Sequence, residues 1–130
     1  MITQSPSTGL TFLRRVLALD AAVTAVNGLA YVAMGELIGK VLGPHAATLR
    51  WPGVFLVVYG AAVAYLAARP RAAGVVTVVA VNGVWAVGSV VIVLTGLLNL
   101  TALGVAWVLA QAAVVAAFAV LQLAGLRRVS

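Results

Sequence analysis

Charged side chains are scarce in this chain of 130 residues. Only 8% of the residues are charged, with eight Lys or Arg against two Asp or Glu, whereas soluble domains carry about 25% charged residues. Hydrophobic residues make up 65% of the chain, and the mean hydropathy is +1.20. Because a small soluble domain leaves roughly a third of its chain surface exposed, this composition predicts a protein that faces lipid.

Cysteine is absent, and histidine occurs once, at His45. The chain therefore has no disulfides and no thiolate chemistry, and no other residues stand at metal-ligand spacing from His45. Phosphate-binding glycine loops, nucleophile elbows and His-x-x-x-His pairs are also missing. We therefore predict neither a metal nor a cofactor, and an enzyme is not the favoured hypothesis.

The net charge of +6 is spread over basic residues near the ends of apolar segments. A nucleic-acid interface gathers its basic residues on one face, so we expect no nucleic-acid partner. Six arginines fall on one predicted side of a membrane: Arg14, Arg15, Arg69, Arg71, Arg127 and Arg128. Lys40 and Arg50 fall on the other side. This asymmetry predicts a multi-pass protein of the cell (inner or plasma) membrane with both termini in the cytoplasm.

Four apolar segments are long enough to cross a bilayer, which takes about 20 helical residues each. They cover residues 16–37, 51–68, 73–98 and 102–126. Residues 39–45, 69–71 and 99–101 are predicted to break the helices, the first two because of Gly or Pro. Asp20 and Asn27 favour a retained first span over a cleaved signal peptide. The short connections predict a single all-α transmembrane domain over residues 1–130, folded as an up-down-up-down four-helix bundle.

An internal repeat relates the two halves of the chain. Residues 23–28 (VTAVNG) match residues 78–83 (VVAVNG) at an offset of 55, and the same offset places the second span on the fourth. Val and Ala are common throughout, so the informative match is the Asn-Gly pair. The sequence therefore leaves two alternatives open, a tandem repeat of helical hairpins or a compositional coincidence.

Polar side chains inside the spans are the first candidates for function, because each needs a partner in hydrocarbon. Asp20, Thr24, Asn27 and Tyr31 follow at spacings of four, three and four, which places them on one helix face. The candidates other than Asp20 are Thr24, Asn27, Tyr59, Asn82, Ser89 and Gln111. Gln122 shares its face of the last span with Gln111. These residues are interpreted either as interhelical hydrogen bonds or as the lining of a small polar cavity.

Asp20 is the acid that falls well inside a predicted span, whereas Glu36 lies at the far end of the first span. An intramembrane carboxyl group is a candidate proton carrier, cation site or general acid. The alternative is an ion pair at the membrane edge with an arginine predicted on the same side, namely Arg14, Arg15, Arg71 or Arg127. The other acid, Glu36, lies near Lys40 and is expected at the interface, and His45 is expected in a solvated loop.

Small residues recur at helical spacing in the second and fourth spans. They are Gly53, Gly60, Ala64 and Ala68, and Ala112, Ala116 and Ala119. Such faces let helix backbones approach closely. They predict packing within the bundle, in a homo-oligomer or in a larger membrane complex.

Three stretches carry a resemblance to known proteins: 19–31 (LDAAVTAVNGLAY), 82–90 (NGVWAVGSV) and 121–128 (LQLAGLRR). They resemble segments of uncharacterised small four-helix integral membrane proteins of high-GC bacteria. The resemblance extends from Leu10 onward and implies the four-helix membrane fold, with no activity attached. Small multidrug transporters and fluoride channels share the size and the number of spans, but their characteristic aromatic and pore motifs are absent here.

Three functional hypotheses remain. The favoured one is a structural or interaction module that packs in a membrane assembly. The second is a small proton- or cation-coupled transporter or channel that uses Asp20, with Asn27, Asn82 and Gln111 along the path. The third is an enzyme acting on a lipophilic, isoprenoid-like substrate, with Asp20 or Glu36 as general acid.

Overall fold

The computed structural model describes residues 6–129, which form five α-helices and no β-strand. The helices are α1 (Pro6–Ala33), α2 (Gly35–Leu42), α3 (Ala46–Ala68), α4 (Ala72–Thr95) and α5 (Ala102–Val129). All except α2 are long and apolar enough to cross a membrane. The fold class is therefore all-α, and length and composition indicate a multi-pass membrane protein.

The helices and the predicted spans differ most at the first break. A break was expected over residues 39–45, but α1 bends earlier, at Met34, where φ is −121°. Backbone hydrogen bonds continue across the bend, from Met34 to Ala30 and from Ile38 to Met34. Gly39 lies inside α2, where the Pro44 carbonyl occupies the place that a side chain would take, so a glycine is needed there. The helix ends only at Gly43, whose φ of +112° favours glycine.

Three of the long helices begin several residues earlier or end later than the predicted spans, whereas α4 ends at Thr95, short of the predicted residue 98. α1 begins at Pro6 rather than near Val16, and α5 continues to Val129. α3 begins at Ala46 rather than at Trp51, because the Nδ1 atom of His45 accepts a hydrogen bond from the Ala47 amide at 3.3 Å and caps the helix. Apolar content marks the part of a helix that suits hydrocarbon, whereas the helix itself continues as far as capping and side-chain packing support it.

Glycines bring α1 and α3 into backbone contact. A side chain at Gly28 would come within 2.8 Å of the Gly53 carbonyl oxygen, and one at Gly60 within 3.0 Å of the Ala25 amide nitrogen. This pair of helices has the most extensive contact in the fold, followed by α4 with α5 and α1 with α5, whereas the backbones of α3 and α4 come close at few points. Part of the predicted small-residue face thus packs inside the bundle, while Ala64 on the same helix is exposed.

The end of the bundle that carries the six arginines is called the arginine end. Near it, the buried side chains of α1, α3 and α4 form one apolar cluster, consisting of Leu13, Leu17, Ala21, Val63, Leu66, Val75 and Val78. The guanidinium of Arg128 lies 4.5 Å from the centre of the Phe12 ring, so α5 finishes beside the start of α1. This end of the bundle is closed by hydrocarbon side chains.

The opposite end, called the α2 end, is held by backbone contacts. The Thr101 amide donates to the Leu42 carbonyl at 2.9 Å, and the Thr101 hydroxyl donates to the Val41 carbonyl at 2.8 Å. Gly104 packs directly against the Leu42 carbonyl. These contacts fasten α2 to the beginning of α5.

The matched Asn-Gly pairs have different surroundings. Gly28 contacts the backbone of α3, whereas a side chain at Gly83 would meet nothing within 4 Å. The tandem repeat and the up-down-up-down order of the spans therefore stay predictions.

Replacing Gly28 by Ala should destabilise the fold, because the added methyl group collides with backbone atoms that cannot rotate away. We expect a loss of roughly 1–3 kcal/mol in the free energy of unfolding, as for other overpacked sites. Gly83→Ala is the matched control and should be neutral or stabilising by up to about 1 kcal/mol through helix propensity. Reversible unfolding in detergent measures both, and equal stability of the two variants would contradict the close α1–α3 contact.

Candidate functional site

Asp20 lies near the middle of α1 and is buried. Its exposed fraction is 2%. At about 1.5 Å per residue it stands about 21 Å from Pro6 and about 20 Å from Ala33. The carboxyl group is thus far from both ends of a helix that is long enough to cross the membrane.

Three neutral side chains donate hydrogen bonds to the Asp20 carboxyl group. Its Oδ2 atom accepts from Nε2 of Gln122 at 2.6 Å and from Nδ2 of Asn82 at 3.0 Å. Its Oδ1 atom accepts from the Thr24 hydroxyl at 2.9 Å. Asn82 Nδ2 also donates to Oε1 of Gln122 at 3.0 Å, so the two amides are joined to each other.

Tyr59 connects α3 to this group of residues. Its hydroxyl donates to Oδ1 of Asn82 at 3.2 Å and lies 3.4 Å from the Val78 carbonyl. We call Asp20, Thr24, Tyr59, Asn82 and Gln122 the Asp20 network. It contains a side chain from each of the four long helices, and in residues 6–129 every buried side-chain nitrogen and oxygen has a hydrogen-bond partner.

The Asp20 carboxyl group is held by these uncharged donors, and among the described residues no salt bridge joins it to a basic side chain. Among residues 6–129, Arg50 and Glu36 form an ion pair at 3.7 Å, and both side chains are exposed. Arg14, a predicted partner of Asp20, is exposed nearly two turns earlier on α1. No three His, Asp or Glu side chains of residues 6–129 gather into a metal site.

A second polar contact lies between Asp20 and the α2 end. Nδ2 of Asn27 donates to Oε1 of Gln111 at 3.1 Å. One turn further along α1, the Tyr31 hydroxyl accepts from Nε1 of Trp107 at 2.8 Å. Both contacts join α1 to α5, so the polar face of α1 is paired along most of its length.

A cavity of about 50 Å³ runs beside this face and is lined by Asp20, Thr24, Asn27, Tyr31 and Gln111 together with apolar side chains. Because one water molecule takes about 30 Å³ in the liquid, the space suits one or two waters and offers them polar partners. It is too small for an organic substrate.

A larger cavity of about 160 Å³ adjoins the first toward the α2 end. The two share Tyr31, Trp85 and Gln111 as lining residues, and the larger one reaches Pro44 and Leu100 in the connections between helices. Toward the arginine end, by contrast, Leu17 and Val75 are 0% exposed. Space near Asp20 therefore continues in one direction along the bundle.

The structure places the predicted site residues in two groups. Asp20, Thr24, Tyr59 and Asn82 meet in the Asp20 network, and Asn27 pairs with Gln111. Ser89 joins neither group, because its hydroxyl donates to the Trp85 carbonyl of its own helix at 2.7 Å. Outside the bundle, Glu36 is exposed beside Arg50 rather than paired with Lys40, and His45 is exposed at the start of α3.

Gln122 and Trp107 were not among the predicted site residues. Gln122 is 0% exposed and donates the shortest hydrogen bond to Asp20. Gln122 follows Gln111 by eleven residues, so both lie on one face of α5. If Gln111 faces a polar interior, Gln122 is expected to face it as well. No feature of the sequence marks Trp107 as the partner of Tyr31.

Comparisons of the chain with protein families, with curated proteins and with solved structures find no significant match. The resemblance to small four-helix membrane proteins of high-GC bacteria stays a prediction. Function has to be inferred from the Asp20 network and its cavities.

Replacing Gln122 by Leu should destabilise the bundle, because Asp20 and Asn82 each lose a buried partner. An unsatisfied buried polar group costs roughly 1–3 kcal/mol. Gln111→Leu is the matched control, since Gln111 is half-buried and pairs with the uncharged Asn27. Unfolding in detergent or by steric trapping in bicelles should show the larger loss for Gln122→Leu, and equal losses would contradict a network centred on Asp20.

Proposed function

We propose that this protein is a small membrane transporter or channel that loads a proton or a small cation on Asp20. The observation that carries the proposal is the buried Asp20 carboxyl group, held by neutral donors beside a water-sized polar cavity. Intramembrane acids of this kind face bundle interiors and mark proton or ion pathways.

A purely structural role does not require the charge of Asp20. Polar glue between helices is made as well by Asn or Gln, and each such hydrogen bond contributes about 0.6–2 kcal/mol. A buried charge adds a desolvation cost that uncharged side chains avoid. We therefore assign Asp20 a role that an amide cannot fill, namely the gain and loss of a proton or the binding of a cation.

The proposed path follows the polar face of α1 from Asp20 to the α2 end. Thr24, Asn27 and Tyr31 line the cavity next to Asp20, and Tyr31 also lines the larger cavity that reaches the helix connections. Water in these two cavities would connect the carboxyl group to the solution on that side. The apolar cluster at the arginine end closes the other direction, so the conformation fits one-sided access.

The orientation of the path follows from the arginines. Lys and Arg are enriched on the cytoplasmic side of membrane proteins. The arginine end and both termini are therefore placed in the cytoplasm in this proposal, and Asp20 exchanges its ion with the outer side of the cell membrane.

A structural module in a membrane assembly is the second candidate. It is favoured because every buried side-chain nitrogen and oxygen in residues 6–129 has a hydrogen-bond partner within the protein. None of these atoms is left to bind a ligand. The enzyme hypothesis gains no comparable support, because Glu36 is exposed beside Arg50 and forms no two-acid site with Asp20.

Asp20→Asn should abolish ion movement while preserving the fold, since the amide keeps the size of the carboxyl group. The protein is reconstituted in liposomes that contain a pH-sensitive dye, and gradients of Na⁺ or K⁺, or a membrane potential, are applied. We expect an internal pH change with the wild-type chain and only the background of empty liposomes with Asp20→Asn. Glu36→Gln, which removes the other acid of the chain, is the matched control and should behave as wild type.

Folding of each variant is checked by circular dichroism and gel filtration in detergent. If well-folded Asp20→Asn moved ions as fast as the wild type, or if the wild type moved none under any gradient, the proposal would fail. The structural module would then be the better description.

Single cysteines should reveal one-sided access, and the natural absence of cysteine removes any background. Asn27→Cys should react with a membrane-impermeant thiol reagent added on the α2 side. Val26→Cys, at a lipid-facing position that is 65% exposed in the structure, and Leu17→Cys, in the apolar cluster, should stay unlabelled. Labelling of Asn27→Cys from the arginine side alone would reverse the proposed path.

A further inference from the structure

A long apolar groove opens on the side of the bundle between the end of α1, α2 and the start of α5. Its volume is about 570 Å³, within the range of about 300–1,000 Å³ that is usual for ligand sites. Leu37, Val41 and Leu103 form its exposed edges, and Tyr31 and Trp107 lie deeper. The bend at Met34 creates this space, because α2 leaves the direction of α1 there.

The groove is long enough for part of a lipid chain. From Leu103 to Ala110 it follows α5 for about 10 Å at a rise of about 1.5 Å per residue. In a bilayer an open groove of this character is filled by hydrocarbon and not by water.

A basic pocket adjoins the groove at the α2 end. It has a volume of about 420 Å³ and is lined by Lys40 and Arg50 together with Glu36 and Leu37. Leu37 borders both the pocket and the groove. Lys40 and Arg50 are also the two basic residues of the chain that lie outside the arginine end, and both come to this one pocket.

The groups that face the basic pocket leave it positive. Glu36 contacts Arg50 at 3.7 Å, a long and exposed ion pair that contributes little. One acid against two bases leaves a net positive charge, and a guanidinium can bind a phosphate oxygen pair in place of a distant carboxylate.

We propose that the groove and the basic pocket together bind one anionic phospholipid from the leaflet at the α2 end. An acyl chain lies in the groove against Tyr31 and Trp107, and the phosphate lies between Lys40 and Arg50. Charge complementarity selects the anionic headgroup, and the position of the two cavities on either side of Leu37 favours an amphiphile over a free anion. Asp20 does not line this site, although Asn27 and Tyr31 border both the groove and the cavity beside Asp20. The proposal does not depend on the proposed transport.

The test uses Trp107 as a reporter of the groove. Trp51 and Trp85 are replaced by Phe, and the protein is placed in nanodiscs of phosphatidylcholine that contain brominated phosphatidylglycerol or brominated phosphatidylcholine. Bromine quenches tryptophan at contact. We expect brominated phosphatidylglycerol to bind beside Trp107 in preference to the zwitterionic lipid. The preference should be a factor of about five for each basic residue of the pocket.

Two controls separate a specific site from ordinary lipid contact. A single Trp placed at the exposed position Val87 on α4, with the three native tryptophans changed to Phe, should be quenched equally by both lipids. Ala106→Phe, which fills the groove, should reduce quenching of Trp107 by both lipids, whereas Ala113→Phe on the same helix should leave it unchanged.

The double variant Lys40→Gln with Arg50→Gln tests whether these two basic residues select the anionic headgroup. It should remove the preference for phosphatidylglycerol while quenching by phosphatidylcholine persists. Equal quenching by both lipids in the wild-type pocket would overturn the proposal, as would a preference that survives the double variant. A preference that inorganic phosphate abolishes at constant ionic strength would assign the pocket to a free anion and also overturn it.

Discussion

The hydrogen bonds to the carboxyl group of Asp20 are the contacts on which the bundle most depends. In a membrane, apolar helices gain little by leaving lipid for one another, so close packing and polar contacts decide which helices associate. Asp20 joins α1 to α4 through Asn82 and to α5 through Gln122, and Tyr59 adds α3 through Asn82. The glycine contacts between α1 and α3 act on one pair of helices, whereas the Asp20 network acts on all four long helices.

The same network divides the bundle into two unlike halves. On the arginine side of Asp20 the interior consists of closely packed Leu and Val, including Leu17 and Val75. On the α2 side, buried apolar side chains such as Leu49 and Leu56 are interspersed with paired polar and aromatic side chains, and cavities lie between them. The pair nearest to Asp20 is Asn27 with Gln111. A carboxyl group at the boundary of a dry half and a polar half is therefore in contact with space from one direction, which is the geometric basis of the proposed one-sided exchange.

The sequence predicts single-helix features of this structure well and contacts between helices poorly. The apolar segments and the shared face of Asp20, Thr24 and Asn27 follow from hydropathy and from the helical period, which are local properties. The pairing of Asp20 with Gln122 depends on the relative depth of two helices separated by most of the chain, and no local pattern encodes that depth. The start of the first break was predicted wrongly for a related reason. Glycine commonly interrupts helices, so Gly39 predicted a break, but in the folded chain Gly39 is helical and the Pro44 carbonyl packs where its side chain would be.

Because the backbones of α3 and α4 make little contact, the Asp20 network is important for how the two halves of the fold are joined. These helices are consecutive in the chain, yet their backbones come close at few points and they meet through side chains. Phe55 and Trp85 stack 6.0 Å apart, Tyr59 bonds to Asn82, and Leu66 packs against Gly74. The fold thus has an α1–α3 pair and an α4–α5 pair, which are joined at Asp20 and also along α1 and α5, where Asn27 pairs with Gln111 and Tyr31 with Trp107. A protonated carboxyl group donates one hydrogen bond and accepts fewer than an ionised one. In the proposed function, loading therefore changes the hydrogen bonds of a group that is bonded to α4 through Asn82 and to α5 through Gln122. The proposal thus couples the loading of Asp20 to a contact between the two pairs of helices.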